Sequence, residues 1–193
     1  MAKNSEAREK QEQAEIPTEK KLDQLYELID GIEMAMMTTR RADGSLVSRP
    51  MATQARAEGT DLWFMTDAQT AKVDELVADQ HVNLGYYNSK TREYVSVSGL
   101  AHVTQDPVRI HELYKPDWKA WLGDLGDDRD GSANDPRIAL IEVQAQSATY
   151  LKADRPRAVA LFSVVKGMIT GEPPKVGVAG KLDSQELKRG AAR

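Results

Sequence analysis

Apolar residues recur along this chain with two different periods, and the switch between them marks out its elements. Leu22, Leu25, Tyr26, Leu28, Ile29 and Ile32 fall at three- and four-residue spacing, the apolar stripe of a helix. Ile16-Pro17-Thr18 precedes them as a helix entrance, with Thr18 predicted as the N-cap. From Met34 to Thr39 the pattern becomes a short β-compatible run, and Asp43-Gly44 is a hairpin signal. Strands are predicted over Leu46 to Ala57, Leu62 to Thr66, Val82 to Tyr87, Tyr94 to Thr104 and Ile138 to Tyr150, with Glu58-Gly59-Thr60 turning the chain between the first two. Gly99 inside the longest alternating run predicts a bulge or a close backbone approach. Residues 69 to 79 read as a helix with Val73, Leu76 and Val77 on one side. Asp106-Pro107 opens another, with proline at the first helical position and Ile110, Leu113 and Tyr114 facing inward. The Asp- and Gly-rich stretch from Gly123 to Pro136 is predicted to be a loop.

Six strands joined by short turns, with only three or four helices, predict a mainly β fold: an antiparallel barrel or sandwich with α decoration. Strand and helix do not alternate regularly, which argues against a doubly wound parallel sheet. The folded domain is expected over residues 17–155. Residues 1–16, dominated by Lys, Glu, Gln and Ala, are expected to form a disordered or loosely helical polar tail. Residues 156–193 form a C-terminal extension. Within it Ala158 to Met168 is apolar, a helix for the barrel or for a partner subunit, and Glu172 to Arg193 is predicted to be a mobile polar tail.

Composition narrows the functional classes. The chain has 193 residues, 29% charged and 40% hydrophobic, with a net charge of −4. That balance lacks a general nucleic-acid footprint, although a local basic pocket is compatible with it. With no cysteine, disulfides, thiol catalysis and thiolate metal sites are all absent. No apolar run approaches the ~20 residues of a membrane helix, and the polar start has no signal-peptide core. A cytoplasmic protein is expected, with neither nucleic acid nor membrane as partner.

The residues that could carry chemistry cluster around one strand–helix junction. Arg49 lies on a strand, and Thr66, Thr70 and Lys72 surround the start of the helix after the next strand. A helix N-terminus offers unpaired N–H groups, to which an arginine, a lysine and hydroxyls add charge and donors, so the set suits a phosphate. On residue types alone, solvated surface cations are an equally good reading. His81, His102 and His111 have no metal-ligand spacing. The run Asp124, Asp127, Asp128 and Asp130 lacks the ligand alternation of a calcium loop and reads as solvated. Trp118 and Trp121 would share roughly one side of a helix near Tyr114; a core or interface role is the commoner explanation, and the wall of a flat cofactor's pocket is the alternative.

Several motifs, taken in order, resemble one known family. They are Met37-Thr38-Thr39, the Asp43-Gly44 turn, Ser48-Arg49-Pro50-Met51, Leu62-Trp63-Phe64-Met65-Thr66-Asp67, Thr70 with Lys72, Tyr94 to Ala101, and Trp118-Lys119-Ala120-Trp121. From about Leu22 to Tyr150 the chain is similar to the pyridoxamine 5'-phosphate oxidase-like split-barrel flavoproteins, and among them to the bacterial general stress protein group. The resemblance implies a six-stranded antiparallel split barrel that forms a homodimer with FMN at the subunit interface. It implies Arg49, Thr70 and Lys72 at the flavin phosphate. It puts Pro50, Met51 and Ala52 along the ring edge and ribityl chain, with Met65 and Thr66 on the other side. It places Trp118 and Trp121 near the ring.

Two departures qualify the resemblance. True pyridoxamine phosphate oxidases carry a C-terminal motif with an arginine and a histidine close together, and Gly180 to Leu187 does not resemble it. No pyridoxal phosphate formation is therefore expected. Leu122 follows Trp121, where the stress-protein group usually has an aromatic. Three functions stay open: an FMN-dependent oxidoreductase acting on an unknown small molecule, a non-catalytic flavin-binding stress or sensor protein, or the same fold holding FAD, deazaflavin or haem.

Overall fold

The computed structural model describes residues 16–55, 62–154, 171 and 177–191. The predicted tail at 1–15 and the apolar run Ala158 to Met168 lie outside the described residues, as does the end of the strand predicted to reach Ala57. Helix α1 (Thr18–Ile32) leads into β1 (Met34–Arg40), β2 (Leu46–Ala52) and β3 (Leu62–Asp67). Helix α2 (Ala71–Ala78) is followed by β4 (His81–Tyr87) and β5 (Tyr94–Thr104). Helices α3 (Pro107–Leu113) and α4 (Trp118–Leu122) precede β6 (Ile138–Lys152), and β7 (Val178–Leu182) and α5 (Ser184–Ala191) follow it.

All pairings are antiparallel, in the order β2-β1-β4-β5-β6-β3, with β7 added to β6. The long β6 divides its second edge: residues 138–143 pair with β3, and 148–152 pair with β7. The sheet curls until its two ends almost meet. A single bridge, Thr53 to Phe64, and the Gln54 N–H donating to Trp63 O at 2.9 Å tie β2 to β3. Beyond that tie, β2 and β3 part, and the split opens toward Arg49 and the start of α2.

Strand alternation sorts the side chains into two cores. Leu62, Phe64, Leu84, Val97 and Tyr150 fill the barrel, which α1 plugs with Leu22, Leu25 and Ile29. Trp63 and Met65 point to the opposite side of β3, where α3 and α4 bring Ile110, Leu113 and Trp118. Gly99 sits at a register shift between β5 and β6, where a Cβ would come 2.3 Å from Gln144 O. The predicted bulge is therefore present, and glycine is required by close approach. Pro107 opens α3 as expected, and Asp106 caps it, its carboxylate accepting from Val108 N at 3.0 Å.

Three expectations need correction. The sheet has seven strands among the described residues, not six. Thr18 is not the cap of α1: it is the first helical residue, Pro17 holds the cap position, and the Thr18 hydroxyl donates to Glu186 at 3.0 Å. Most of the supposed mobile tail is ordered secondary structure. Residues 177–191 form β7 and α5, anchored by Lys21–Glu186 at 3.0 Å and by buried Leu182 and Leu187. Glycines make that fit possible, since a Cβ on Gly180 would lie 2.1 Å from the Tyr150 ring. Gly180→Ala is therefore expected to cost about 1–3 kcal/mol, the usual range for overpacking, and to expose β7 and α5 to protease before the barrel melts. A wild-type melting curve and wild-type cleavage pattern would refute this.

Candidate functional site

The split ends in a cluster of charged and hydroxyl groups under α2. Met37 and Arg49 are cross-strand partners on β1 and β2, so Arg49 points inward with the barrel residues. The helix lays Glu75 over it. The guanidinium donates to Glu75 through Nη1 to Oε2 and Nη2 to Oε1, both at 2.8 Å. Nη1 also reaches Thr39 Oγ1 at 2.9 Å, and that hydroxyl donates to Glu75 Oε2 at 2.6 Å. Arg41 approaches the same carboxylate at 3.7 Å. These donors hold Glu75 below the usual carboxylate range, Arg49 being the largest cause, while burial opposes the shift.

Lys72 is in a different situation. Its ammonium donates to Thr66 Oγ1 at 2.8 Å, and no carboxylate among the described residues lies within ion-pair distance. Burial lowers its pKa, and repulsion from Arg49 lowers it further against smaller opposing effects of Asp67 and Glu75. The backbone adds donors beside it. Thr70 precedes α2, but its hydroxyl donates back to Asp67 O at 2.9 Å and caps no helical N–H. The first-turn N–H groups of Ala71 and Lys72 therefore point out of the helix without a partner among the described residues. Two N–H groups and an ammonium with hydrogens beyond its bond to Thr66 thus lie at the start of α2, and Arg49 keeps donors beyond those given to Glu75 and Thr39. Donors of these kinds are those that suit an anion.

Of the expected site residues, the structure brings Arg49, Thr66, Thr70 and Lys72 together. It separates others by strand alternation. Met65 lies on the far side of β3, and Trp118 is buried with it, its ring edge-on to Tyr114 at 5.6 Å. Trp121 is 82% exposed while Trp118 is 2% exposed, so the two do not share one environment. On β2, Met51 is buried in the barrel, whereas Pro50 and Ala52 face outward. Glu75, Thr39 and Arg41 were not anticipated. The available signal was the position of Glu75 three residues after Lys72 on one helix, which reads equally well as a solvated face. The acidic loop also holds a buried pair. Asp135 and Arg137 meet at 2.6 Å, and Arg137 donates to the carbonyls of Leu122, Gly123 and Arg129.

Comparison with known proteins identifies the family and the fold. The model of the family described as "Pyridoxamine 5'-phosphate oxidase like" matches residues 20–175. Protein bli-3 of Neurospora crassa is 36% identical over 177 residues, covering 90% of this chain and 85% of the fungal protein. The solved general stress protein 26 of Bacillus anthracis superposes with a TM-score of 0.56 at 22% identity, over 67% of this chain and 92% of that one. The general stress FMN/FAD binding protein of Xanthomonas citri gives the same TM-score, 0.56, at 22% identity, over 68% of this chain and 88% of its own. The structures share the split-barrel fold, and the sequence match spans most of the chain: it belongs to the pyridoxamine 5'-phosphate oxidase-like family.

Proposed function

We propose that this chain is an FMN-binding flavoprotein of the general stress protein type, active as a homodimer, that exchanges electrons with a small molecule. The observation that carries the reading is Lys72, a half-buried ammonium with no carboxylate partner among the described residues, set at a helix start beside Arg49. The donors left over fit a terminal phosphate. Arg49 spends its bonds to Glu75 and Thr39 through Nη1 and Nη2, which leaves Nε–H and one Nη2 hydrogen. Lys72 keeps two ammonium hydrogens after its bond to Thr66.

When bound, the flavin supplies the redox chemistry. The chain supplies binding, orientation and exclusion of water. Arg49, Lys72 and the first turn of α2 would hold the phosphate, with Thr66 and Thr70 fixing the lysine and the turn. Pro50 and Ala52 lie on the outer side of β2, a position suited to a cofactor or a second subunit. The family resemblance puts Trp121 near the ring, and its exposure makes it available to a ligand or a partner copy.

The outer side of the sheet supports a dimer. Met34 and Met36 of β1 are 48% and 45% exposed, and Tyr87 of β4 is 62% exposed. Between them and the outward residues Ser48, Pro50, Thr38, Asn83 and Ser96 stands no Asp, Glu, Lys or Arg. An exposed, uncharged sheet surface of this kind is suited to association, and a C2 pair is the commonest solution. No helix among the described residues is long and apolar enough to cross a membrane.

Purified full-length protein is expected to be yellow, to release FMN on denaturation, and to sediment as a dimer at micromolar concentration. Native mass spectrometry identifies both the ligand and the stoichiometry. A colourless protein that FMN does not titrate would reject the cofactor. A flavin-loaded monomer would reject the shared site.

A further inference from the structure

Glu75 is the feature of the anion site that the proposed function does not require. A carboxylate beside a phosphate site is repulsive to the ligand, yet Glu75 is 9% exposed and forms hydrogen bonds through both oxygens. Its neighbours give the reason. Arg49 on β2 and Lys72 on α2 are near enough to repel each other, and the lysine's hydrogen bond goes to a neutral hydroxyl, that of Thr66. Two cations held there without a ligand repel each other, and burial strengthens the repulsion.

We propose that Glu75 is a resident counter-charge, a positioning residue that clamps the Arg49 guanidinium and offsets its charge toward Lys72 so that the site stands assembled before its anion arrives. The clamp is the two-point contact at 2.8 Å on each side, which leaves the planar guanidinium no free rotation. Thr39 locks the same unit from β1. Lys72 faces Arg49 from β2, Asp67 from β3 and Glu75 from its own helix, so Glu75 and Asp67 are the two negative groups opposing Arg49. A side chain fixed before binding loses less freedom when the ligand arrives. This inference rests on the reading of the site as a phosphate site, and its primary test does not require a flavin.

The test is the titration of Lys72 in the ligand-free full chain, followed by its side-chain carbon resonance in wild type and Glu75→Gln. The substitution removes the negative charge and keeps the shape. The Lys72 midpoint is expected to move to lower pH in Glu75→Gln and to return toward wild type in Glu75→Asp. A midpoint unchanged in Glu75→Gln overturns the proposal. With FMN as the probe, the alkaline limb of binding is expected to move to lower pH by the same shift, because the phosphate needs the ammonium. Riboflavin, which lacks the phosphate, is expected to show no such movement. An alkaline limb that stays in place while FMN binds also overturns it. If FMN binds neither protein and the Lys72 shift is still seen, the flavin reading fails and the counter-charge stands. Melting curves of both variants confirm that the fold is intact. If Glu75→Gln does not fold, Glu75→Asp decides through the same titration, with a longer, weaker contact and an intermediate shift expected.

Discussion

Arg49→Ala is expected to weaken FMN binding roughly 10- to 100-fold, the equivalent of a charged hydrogen bond worth about 1.5–3 kcal/mol. Two effects act in the same direction. The phosphate loses a guanidinium edge, and the Glu75 carboxylate, no longer neutralised by its two contacts at 2.8 Å, is left in the site to repel it. The double variant Arg49→Ala/Glu75→Ala separates them. It is expected to recover part of the loss, since the unpaired buried carboxylate goes with its partner. Fluorescence titration with FMN and riboflavin in parallel decides the matter, because riboflavin should be indifferent to both changes. Equal loss for the two flavins, or no loss for FMN, would show that Arg49 does not meet a phosphate.

Asp135→Ala should have the largest effect on stability, about 3–5 kcal/mol, the usual cost of removing one partner of a buried pair. Asp135 has a fully buried side chain, accepts from Gly131 N at 2.7 Å and from Arg137 N at 2.9 Å, and meets Arg137 at 2.6 Å. Removing it leaves the charge of a guanidinium that is only 4% exposed with backbone carbonyls in place of its carboxylate. The effect should depend on pH. The bonds from Arg137 hold Asp135 down to about 2. A depressed carboxylate stabilises the fold above its unfolded pKa of about 4 and loses that contribution as pH falls through its folded value. The gap between wild type and Asp135→Ala in urea unfolding should therefore be full at pH 7 and shrink between about pH 4 and pH 2. A gap independent of pH, or none at pH 7, would contradict the role assigned to this pair. The consequence reaches the candidate site, because Arg137 O accepts from Ala68 N at 2.7 Å in the turn that leads to Thr70 and Lys72.

What could be read from residues alone was whatever local chemistry determines. Gly99 was legible because a glycine inside an alternating strand signals a bulge or a close approach, and Asp106-Pro107 because capping is a short-range code. The grouping of Arg49 with Lys72 was legible as an open question, since both readings were compatible with the residue types. The rest depended on distant partners. Glu75 carries no local signal of its role, because Arg49 lies 26 positions away in sequence. Asp135 and Arg137 were hidden in an acidic loop that is mostly exposed. Trp118 and Trp121 share a short helix whose one side packs under β3 and whose other side meets solvent, which spacing alone did not separate. The last strand and helix escaped because they bury few large apolar side chains. Gly180 fits against Tyr150 and Gly190 against Leu22 by close approach, and absent side chains leave no hydrophobic pattern.

The docking of α5 on α1 has a consequence for how the molecule reaches its native state. Thr18 and Glu186 meet across 168 positions, and β3 finds β6 only after the intervening strands exist. Contacts of such long sequence separation slow folding, because loop closure must come before any reward. During synthesis the outer edge of β6 at 148–152 stays uncovered until β7 is made, a template for mispairing with a neighbouring chain. The same proximity of early and late residues makes the molecule a candidate for circular permutation. A short linker between the two helices, with new ends opened at the exposed Asp43-Gly44 turn, would convert the contact between Thr18 and Glu186 into a local one.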